Sequence, residues 1–592
     1  MTKRSLRIGI LLVLAAAAAV AIPAGIALAQ TQAQTPPPAA QAKPATPPAA
    51  PQTPPSPEAQ ALRAAQNITD ADKQIEALKK VAADFPKTSA ANSAETLILS
   101  ALVRKTTADL KAVGDQAKKL AEMAGTPNDR ARRTSGAAGT LLGANLMLED
   151  AEQYAKKGLE LIPDQKTWIE NQKKATADQR AEILKRNPAA EFSPLPTDAE
   201  YATDYASAKQ SAMMTLAQAY EKRAKNAEAE KAYTDAYNLN PKSGAAAAVK
   251  LADYAKAAKR YPEQLEYLTV ATLAGRVTAA SRADLEAAYK QVKGGTPADL
   301  DKMLDERFAK DAPKVEVAVY KPTKARTNRL VVAELFTGSG CPPCVAADMA
   351  YDAAIERFAP KDVAVLVYHL HVPRPDPMTS PVTVLRAAKG FYEVSGTPTM
   401  YIDGGNQRVG GGGSAQAEKL FKDYVQAGIE KRLEVKPGAS VKLQAALKNG
   451  VVSVAVDVSK VAKTGKPDQT VRLQVALVET SVHYTGENGV RFHPMVVRSL
   501  ASEEKGKLGY AVTPGKNDKF ACTFDVAKIV ADAKTHLDEM EGGSSARFGK
   551  FQFIQRMNGI DASKLRVVAF VQDEQTREIL QAAFVDLSGA AK

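Results

Sequence analysis

The sequence predicts a multidomain chain: an α-helical repeat array, then an α/β domain, then an antiparallel β-sandwich. Three observations carry that prediction. Residues 58–310 are rich in Ala, Lys and Glu with 3.6-residue periodicity and few strand signals. From Leu330 onward, apolar strand-like runs alternate with helical ones, and after Leu433 short alternating strands recur between turns. At 592 residues the chain is also too long for one hydrophobic core. The expected divisions are 1–29, 30–57, 58–310, 311–432 and 433–592.

Lys3, Arg4 and Arg7 precede an uncharged run from Ile8 to Ala29. Pro23 would break its helix, and Ala27-Leu28-Ala29 has the small-x-small form of a signal-peptidase site. Residues 1–29 are therefore expected to be a signal peptide, giving a periplasmic or secreted protein that begins at Gln30. The alternative is an uncleaved membrane anchor, because the run is nearly long enough to span a bilayer. No other stretch is that apolar, so the body is expected to be soluble. Residues 30–57 are almost entirely Pro, Ala, Gln and Thr, an extended tether with nothing to bury. The net charge of +13 is interleaved with acidic residues and forms no aromatic-laced basic patch, which argues against a nucleic-acid partner.

Within 58–310, Leu216, Ala217 and Tyr220, then Ala229, Tyr233, Ala236 and Pro241, set large and small residues along two successive helices. This spacing resembles the tetratricopeptide repeat, with weaker copies ending at Pro86 and Pro163 and an irregular insert from Asn187 to Pro196. The resemblance implies a groove for a protein partner; the alternative is a packed spacer without a ligand. Trp168, the single tryptophan, is expected to anchor the core. Val315 to Tyr320 alternates like a strand, and Lys321 to Arg329 is a charged connector.

Leu330 to Phe336 is expected to be a buried strand, Thr337 to Gly340 a loop, and Cys341-Pro342-Pro343-Cys344 the start of a helix carrying Val345, Met349 and Ala353 on one face. A strand from Asp362 to Val372, a helix from Pro381 to Tyr392, the run Gly396-Thr397-Pro398-Thr399 and a strand from Met400 follow. This order resembles the thioredoxin superfamily over roughly residues 330 to 432. A thiolate, not a thiol, attacks a disulfide, and a helix N-terminus offers unpaired N–H groups and a positive dipole end to stabilise it. Cys341 is thus the expected nucleophile and Cys344 the resolving thiol. The resemblance implies a cis Pro398 that, with Thr397, presents the substrate strand. It also implies a buried acid on the strand before the motif that assists proton transfer to Cys344; Glu334 is the candidate, with a surface or structural carboxylate as the alternative.

Only Cys341, Cys344 and Cys522 are present, so the chain is no disulfide-stapled scaffold, and the second pair of a four-cysteine zinc site is missing. His369 and His371 share one face of a strand and could complete a metal set, line the redox cleft, or merely end the strand. No metal or cofactor is expected. The Pro-rich run from Val372 to Pro381 is expected to form a lip over the site. Gly410 to Gly413 lacks the lysine and hydroxyl of a phosphate loop, so a flexible connection with Ser414 as N-cap is expected.

Beyond Leu433, strands are expected at 441–447, 451–458, 471–478, 495–497, 520–524 and 567–570. Leu473 to Glu479, Gly489 to Arg498 and Val567 to Asp573 resemble a β-domain of exported bacterial proteins that follows a thioredoxin-like domain. His483 and His493 are expected at the surface or in packing, and Cys522 as a small buried hydrophobe, able to pair with another chain if exposed. The function expected is an exported thiol-disulfide oxidoreductase acting on cysteine-containing exported proteins with an unknown redox donor or acceptor, its partners recruited by the helical repeats. The alternative is a non-enzymatic scaffold in which Cys341–Cys344 is a structural disulfide.

Overall fold

The computed structural model describes residues 56–587, apart from 87, 106, 187, 189–191, 193–194, 241–243, 277, 389, 462–469 and 505. The expected signal peptide, the tether through Pro55, Asn187 and Pro241 lie outside the described residues. Residues from 61 onward make one compact unit, and none of its described helices is long and apolar enough to cross a membrane.

Thirteen described helices, α1 (Pro57–Gln66) to α13 (Pro297–Asp311), form an array. Several start at a Thr followed three residues later by an acid. The Thr126/Asp129, Thr197/Glu200 and Thr296/Asp299 pairs all close reciprocal capping boxes, satisfying N–H groups that the first helical turn leaves unpaired. Between α8 (Asp198–Lys222) and α9 (Asn226–Leu239), Ala217, Ala229, Tyr233 and Ala236 are fully buried. Small side chains there let the two helices approach closely. Trp168 is also fully buried; its indole N–H donates to Asp204 Oδ2 at 3.0 Å and Arg132 lies over its ring. It anchors the core as expected.

The segment from Val315 to Tyr320 is no strand. It is extended, but no neighbour forms a ladder with it; Val315 and Tyr320 are buried against the following α/β core, and Tyr320 N–H donates to Arg357 O at 2.8 Å. Burial does not follow the alternation, since Val319 is exposed while Val315 and Tyr320, five residues apart, are buried.

The second half is built on one nine-stranded mixed sheet. Its strands are β1 (Val331–Thr337), β2 (Val363–His369), β3 (Thr399–Ile402), β4 (Gly405–Val409), β7 (Val471–Glu479), β10 (Val496–Leu500), β13 (Tyr510–Val512), β15 (Leu565–Asp573) and β16 (Ile579–Asp586). The order is β16-β15-β7-β10-β2-β1-β3-β4, with β13 on β7. The helix α14 (Val345–Arg357) packs on the central strands, and α15 (Pro381–Ala387) precedes β3. A three-stranded sheet of β5 (Ser440–Lys448), β6 (Val451–Ser459) and β14 (Asp518–Asp525) covers the outer end. Two short pairs complete the set: β8 (Val482–His483) with β9 (Phe492–His493), and β11 (Ser502–Glu504) with β12 (Lys507–Leu508).

The β-sandwich expected to stand apart at 433–592 is thus corrected: five of its strands extend the sheet of the preceding region. The reason lies at the edge of β2, whose backbone groups need partners. There β10 pairs in parallel, Val496 with Val367, and Val367 N–H donates to Met495 O at 2.9 Å. The strands β7 and β15 are buried on both faces, so each must be covered twice. Val471, Leu473, Val475 and Leu477 face the core shared with β5 and β6, whereas Ala476 and Val478 join the core around β1. In the turn between β5 and β6, Asn449 and Gly450 both take positive φ, 52° and 77°, as a two-residue hairpin loop demands. Among the elements without an expectation are β4, β13, β16 and the helix α16 (Val526–Glu541).

Candidate active site

Cys341 follows a loop at the C-terminal end of β1, and Pro342–Cys344 forms one 3-10 turn that runs into α14. The prolines fix φ and lack N–H groups, which suits a helix start. Cys341 and Cys344 are joined in a disulfide with Cα atoms 5.3 Å apart, and both are buried, Cys341 to 1% exposure.

The helix N-terminus does not serve Cys341 in the way its sequence suggests. Pro342 and Pro343 have no N–H to give; Cys344 N–H donates to Cys341 O at 3.1 Å; Ala346 N–H donates to Gly412 O at 2.9 Å. The donor that reaches the sulfur is instead the Thr397 hydroxyl, 3.4 Å from Cys341 Sγ, while the Thr397 carbonyl oxygen lies 3.6 Å from the same atom. The same hydroxyl is 3.1 Å from Val372 O, so its one proton chooses between a lip carbonyl and the sulfur. The Thr397–Pro398 peptide bond is cis, as is Val372–Pro373.

Gly410 to Gly413 is not a free connection. Gly412 N–H donates to Pro343 O at 2.8 Å, and a Cβ on Gly411 would meet Pro343 O at 2.3 Å and Pro398 Cγ at 2.9 Å. Glycine is required because this backbone lies directly against the motif. Ser414 makes no capping bond but opens a 3-10 turn, Ser414–Gln416.

Glu334 is fully buried but does not face the cysteine helix. Its carboxylate accepts from Arg386 Nη2 at 3.0 Å, from Tyr368 Oη at 2.9 Å and from the hydroxyl of Tyr392. Arg386 also donates to Gln572 of β15 at 2.9 Å. The odd-numbered residues of β1 face α14 instead. Thr337 is one of them, and its hydroxyl donates to Asp348 Oδ1 at 2.9 Å. Asp348 lies one helical turn beyond Cys344, on the same helix face. Burial raises its carboxyl well above the usual range, and the Thr337 hydroxyl offsets this only in part. Burial, and then nearby Glu356, push Asp352, one further turn on, to about 7. Sequence reasoning missed Asp348 because it sought the acid on the strand; its signal was an acid four residues after the second cysteine of the motif.

The lip and the β8–β9 hairpin close over the dithiol. Arg374 packs its side chain within 3.3 Å of where a Gly340 Cβ would sit and pairs with Glu487 at 2.8 Å. From the same hairpin, Asn488 N–H donates to Ser339 O at 3.0 Å and its side-chain amide lies 3.4 Å from Cys341 O. Behind the lip, Asp376 Oδ2 accepts from Ser339 N–H at 2.6 Å and pairs with His369 Nδ1 at 2.9 Å. Burial alone would raise the Asp376 carboxyl, yet His369 and the N–H groups of Ser339 and Met378 hold it well below the usual range.

His369 and His371 do not converge. His371 Nδ1 accepts from Asp376 N–H at 3.0 Å, so its Nε2 carries the proton of the neutral ring and points at His536 Nε2, 3.0 Å away. Burial lowers His371 to about 4. His493 is buried against His369 and lowered by burial to about 3, whereas half-exposed His483 pairs with Asp305 at 2.8 Å. Among the described residues, no group of three or more His, Cys, Asp or Glu side chains is arranged to hold a metal ion. Cys522 is only half-buried on β14, where burial pushes its thiol up.

No protein-family model matches the chain, and no curated protein matches it. Among solved structures it is similar to HBP35 of Porphyromonas gingivalis, at 14% identity over 44% of this chain and 76% of that one, with a TM-score of 0.29. A likeness that slight carries no argument, so the reading of the site rests on its own residues.

Proposed function

We propose that this chain is a thioredoxin-like thiol-disulfide oxidoreductase, exported and acting on cysteines of other exported proteins. The observation that carries the reading is the disulfide between Cys341 and Cys344 at the start of α14, with the Thr397 hydroxyl and the Thr397–Pro398 segment against the Cys341 sulfur. In the reducing direction, the Cys341 thiolate attacks one sulfur of a substrate disulfide. A mixed disulfide forms and the first substrate thiolate leaves. Cys344 then attacks Cys341 Sγ, expelling the second substrate thiolate and closing the Cys341–Cys344 bond. Two electrons pass from the dithiol to the substrate; run backwards, the same steps oxidise it.

Each group has a physical task. Thr397 stabilises the Cys341 thiolate by turning its hydroxyl from Val372 O to the sulfur. Asp348, on the helix face of Cys344, takes the proton that Cys344 must lose, because burial raises its affinity for a proton. Glu334, expected in that role, instead neutralises Arg386 and holds β1 to β15 through Gln572.

The scaffold reading keeps one observation in its favour, the 1% exposure of Cys341. A measured reduction potential separates the two. A catalytic pair lies above about −300 mV, and a structural disulfide below it. A value below that limit, with no dithiothreitol-dependent reduction of insulin, overturns the oxidoreductase reading.

A further inference from the structure

Beside the dithiol loop lies a cavity of about 460 Å3, between the end of α13 with the segment after it, one face of α14, and the β8–β9 hairpin. That volume falls in the range of sites that enclose a ligand, roughly 300–1,000 Å3. Its wall is mostly apolar: Phe308, Val345, Met349, Val490 and Phe492, with the two phenylalanine rings edge-to-face at 5.0 Å. Val345 is the residue after Cys344, and Asn488, whose amide lies against the Cys341 carbonyl, belongs to the same wall. A chain seated here is within a few residues' reach of Cys341, at about 3.3 Å per extended residue.

Three charged groups line the cavity: Asp352, half-buried, and Glu356 and Lys314, both exposed. None of the three makes a hydrogen bond or ion pair with another described residue. When Asp352 is ionised, two carboxylates against one ammonium leave one negative charge for a guest to neutralise. The apolar wall and the unpaired Asp352 together describe an apolar side chain with a basic neighbour.

We infer that this cavity is a substrate subsite that takes an apolar side chain and an adjacent Lys or Arg from the polypeptide whose disulfide reacts at Cys341. The inference rests on the redox reading above and adds the substrate class. The occupied surface lies on the α14 side of the motif, separate from the Thr397–Pro398 segment.

The test uses synthetic peptides with one cysteine as a glutathione mixed disulfide, and a Leu-Lys pair moved through the six positions on either side. At one position the pair is expected to raise kcat/KM about tenfold over Ser-Ser, through KM, as one charge-assisted contact allows. The D352N/E356Q double variant and, separately, Met349→Trp, which fills the cavity, are expected to lose that gain while still turning over glutathione disulfide. A gain below twofold everywhere, a gain surviving D352N/E356Q, or an equal gain for Leu-Glu overturns the subsite. Anisotropy of a fluorescein-labelled, cysteine-free Leu-Lys peptide isolates the two claims. Binding that D352N/E356Q abolishes, without turnover of any disulfide, overturns the redox reading and leaves a peptide site; absence of binding overturns the subsite itself.

Discussion

The two faces of β1 bury acids in opposite ways. On one face Glu334 meets a guanidinium and two tyrosine hydroxyls, so its charge is matched and its protons are supplied by fixed partners. On the other, Asp348 meets only the Thr337 hydroxyl, and Asp352 meets no described partner. A buried carboxylate with a counter-charge holds structure together; one without it is pushed toward the neutral form and becomes able to exchange a proton. The face that carries Cys344 is the one left unneutralised.

The sharpest way to break this contrast is to remove the chemistry itself. Cys341→Ser is expected to lower insulin-disulfide reduction by at least about a thousandfold, since no other sulfur occupies the position; wild-type turnover in this variant would end the oxidoreductase reading. On the matched face, Arg386→Met leaves Glu334 buried without its cation and is expected to cost about 3–5 kcal/mol in urea unfolding. Turnover per folded molecule stays near wild type, and a selective loss of turnover instead would return Glu334 to the mechanism.

On the unmatched face, Asp348→Asn is expected to slow resolution of the mixed disulfide about 10- to 100-fold, with the loss greatest near neutral pH and shrinking at high pH where Cys344 ionises unaided. A pH-independent loss would make Asp348 a packing residue. The stability of the fold should carry the same signature. Asp352 holds a proton up to about pH 7 when folded but only to about pH 4 when unfolded, so it lowers stability as pH rises through that window. The thermal midpoint of Asp352→Asn relative to wild type should therefore be more favourable at pH 7.5 than at pH 5. His493, held neutral down to about 3, acts in the other direction, removing stability as pH falls below about 6.5. The smallest effect is expected at the clasp. Arg374→Ala should speed reduction of Cys341–Cys344 by a bulky dithiol about two- to threefold, because an exposed ion pair contributes at most about 1 kcal/mol.

The array was readable because its signals are local. Ala217, Ala229, Tyr233 and Ala236 show their seam by spacing along two neighbouring helices. The Asn449-Gly450 hairpin is local in the same sense. The motif Cys341 to Cys344 with Thr397 and Pro398 was also legible as a set of residues, and the structure brings these side chains together. What was not legible was which acid shares the helix face of Cys344. The sequence names an acid on β1, and strand parity turns Glu334 to the wrong face, whereas Asp348 announces itself only by helical spacing from Cys344.

By itself, the sequence determined that residues 58–310 are helical, that strand-like runs follow from Leu330, and that two cysteines sit where a strand gives way to a helix. These follow from backbone propensity, capping and periodicity, which act over a few residues. Only the tertiary structure decided that β10 closes the edge of β2, so that five strands of the expected sandwich joined the preceding sheet. It likewise decided that Gly411 must be glycine because Pro343 and Pro398 press against it, and that the dithiol lies beneath Arg374 and Glu487. Such outcomes depend on which distant groups meet once the sheet is laid down. Edge pairing, burial and counter-charge are properties of neighbours in space, and no local pattern encodes them.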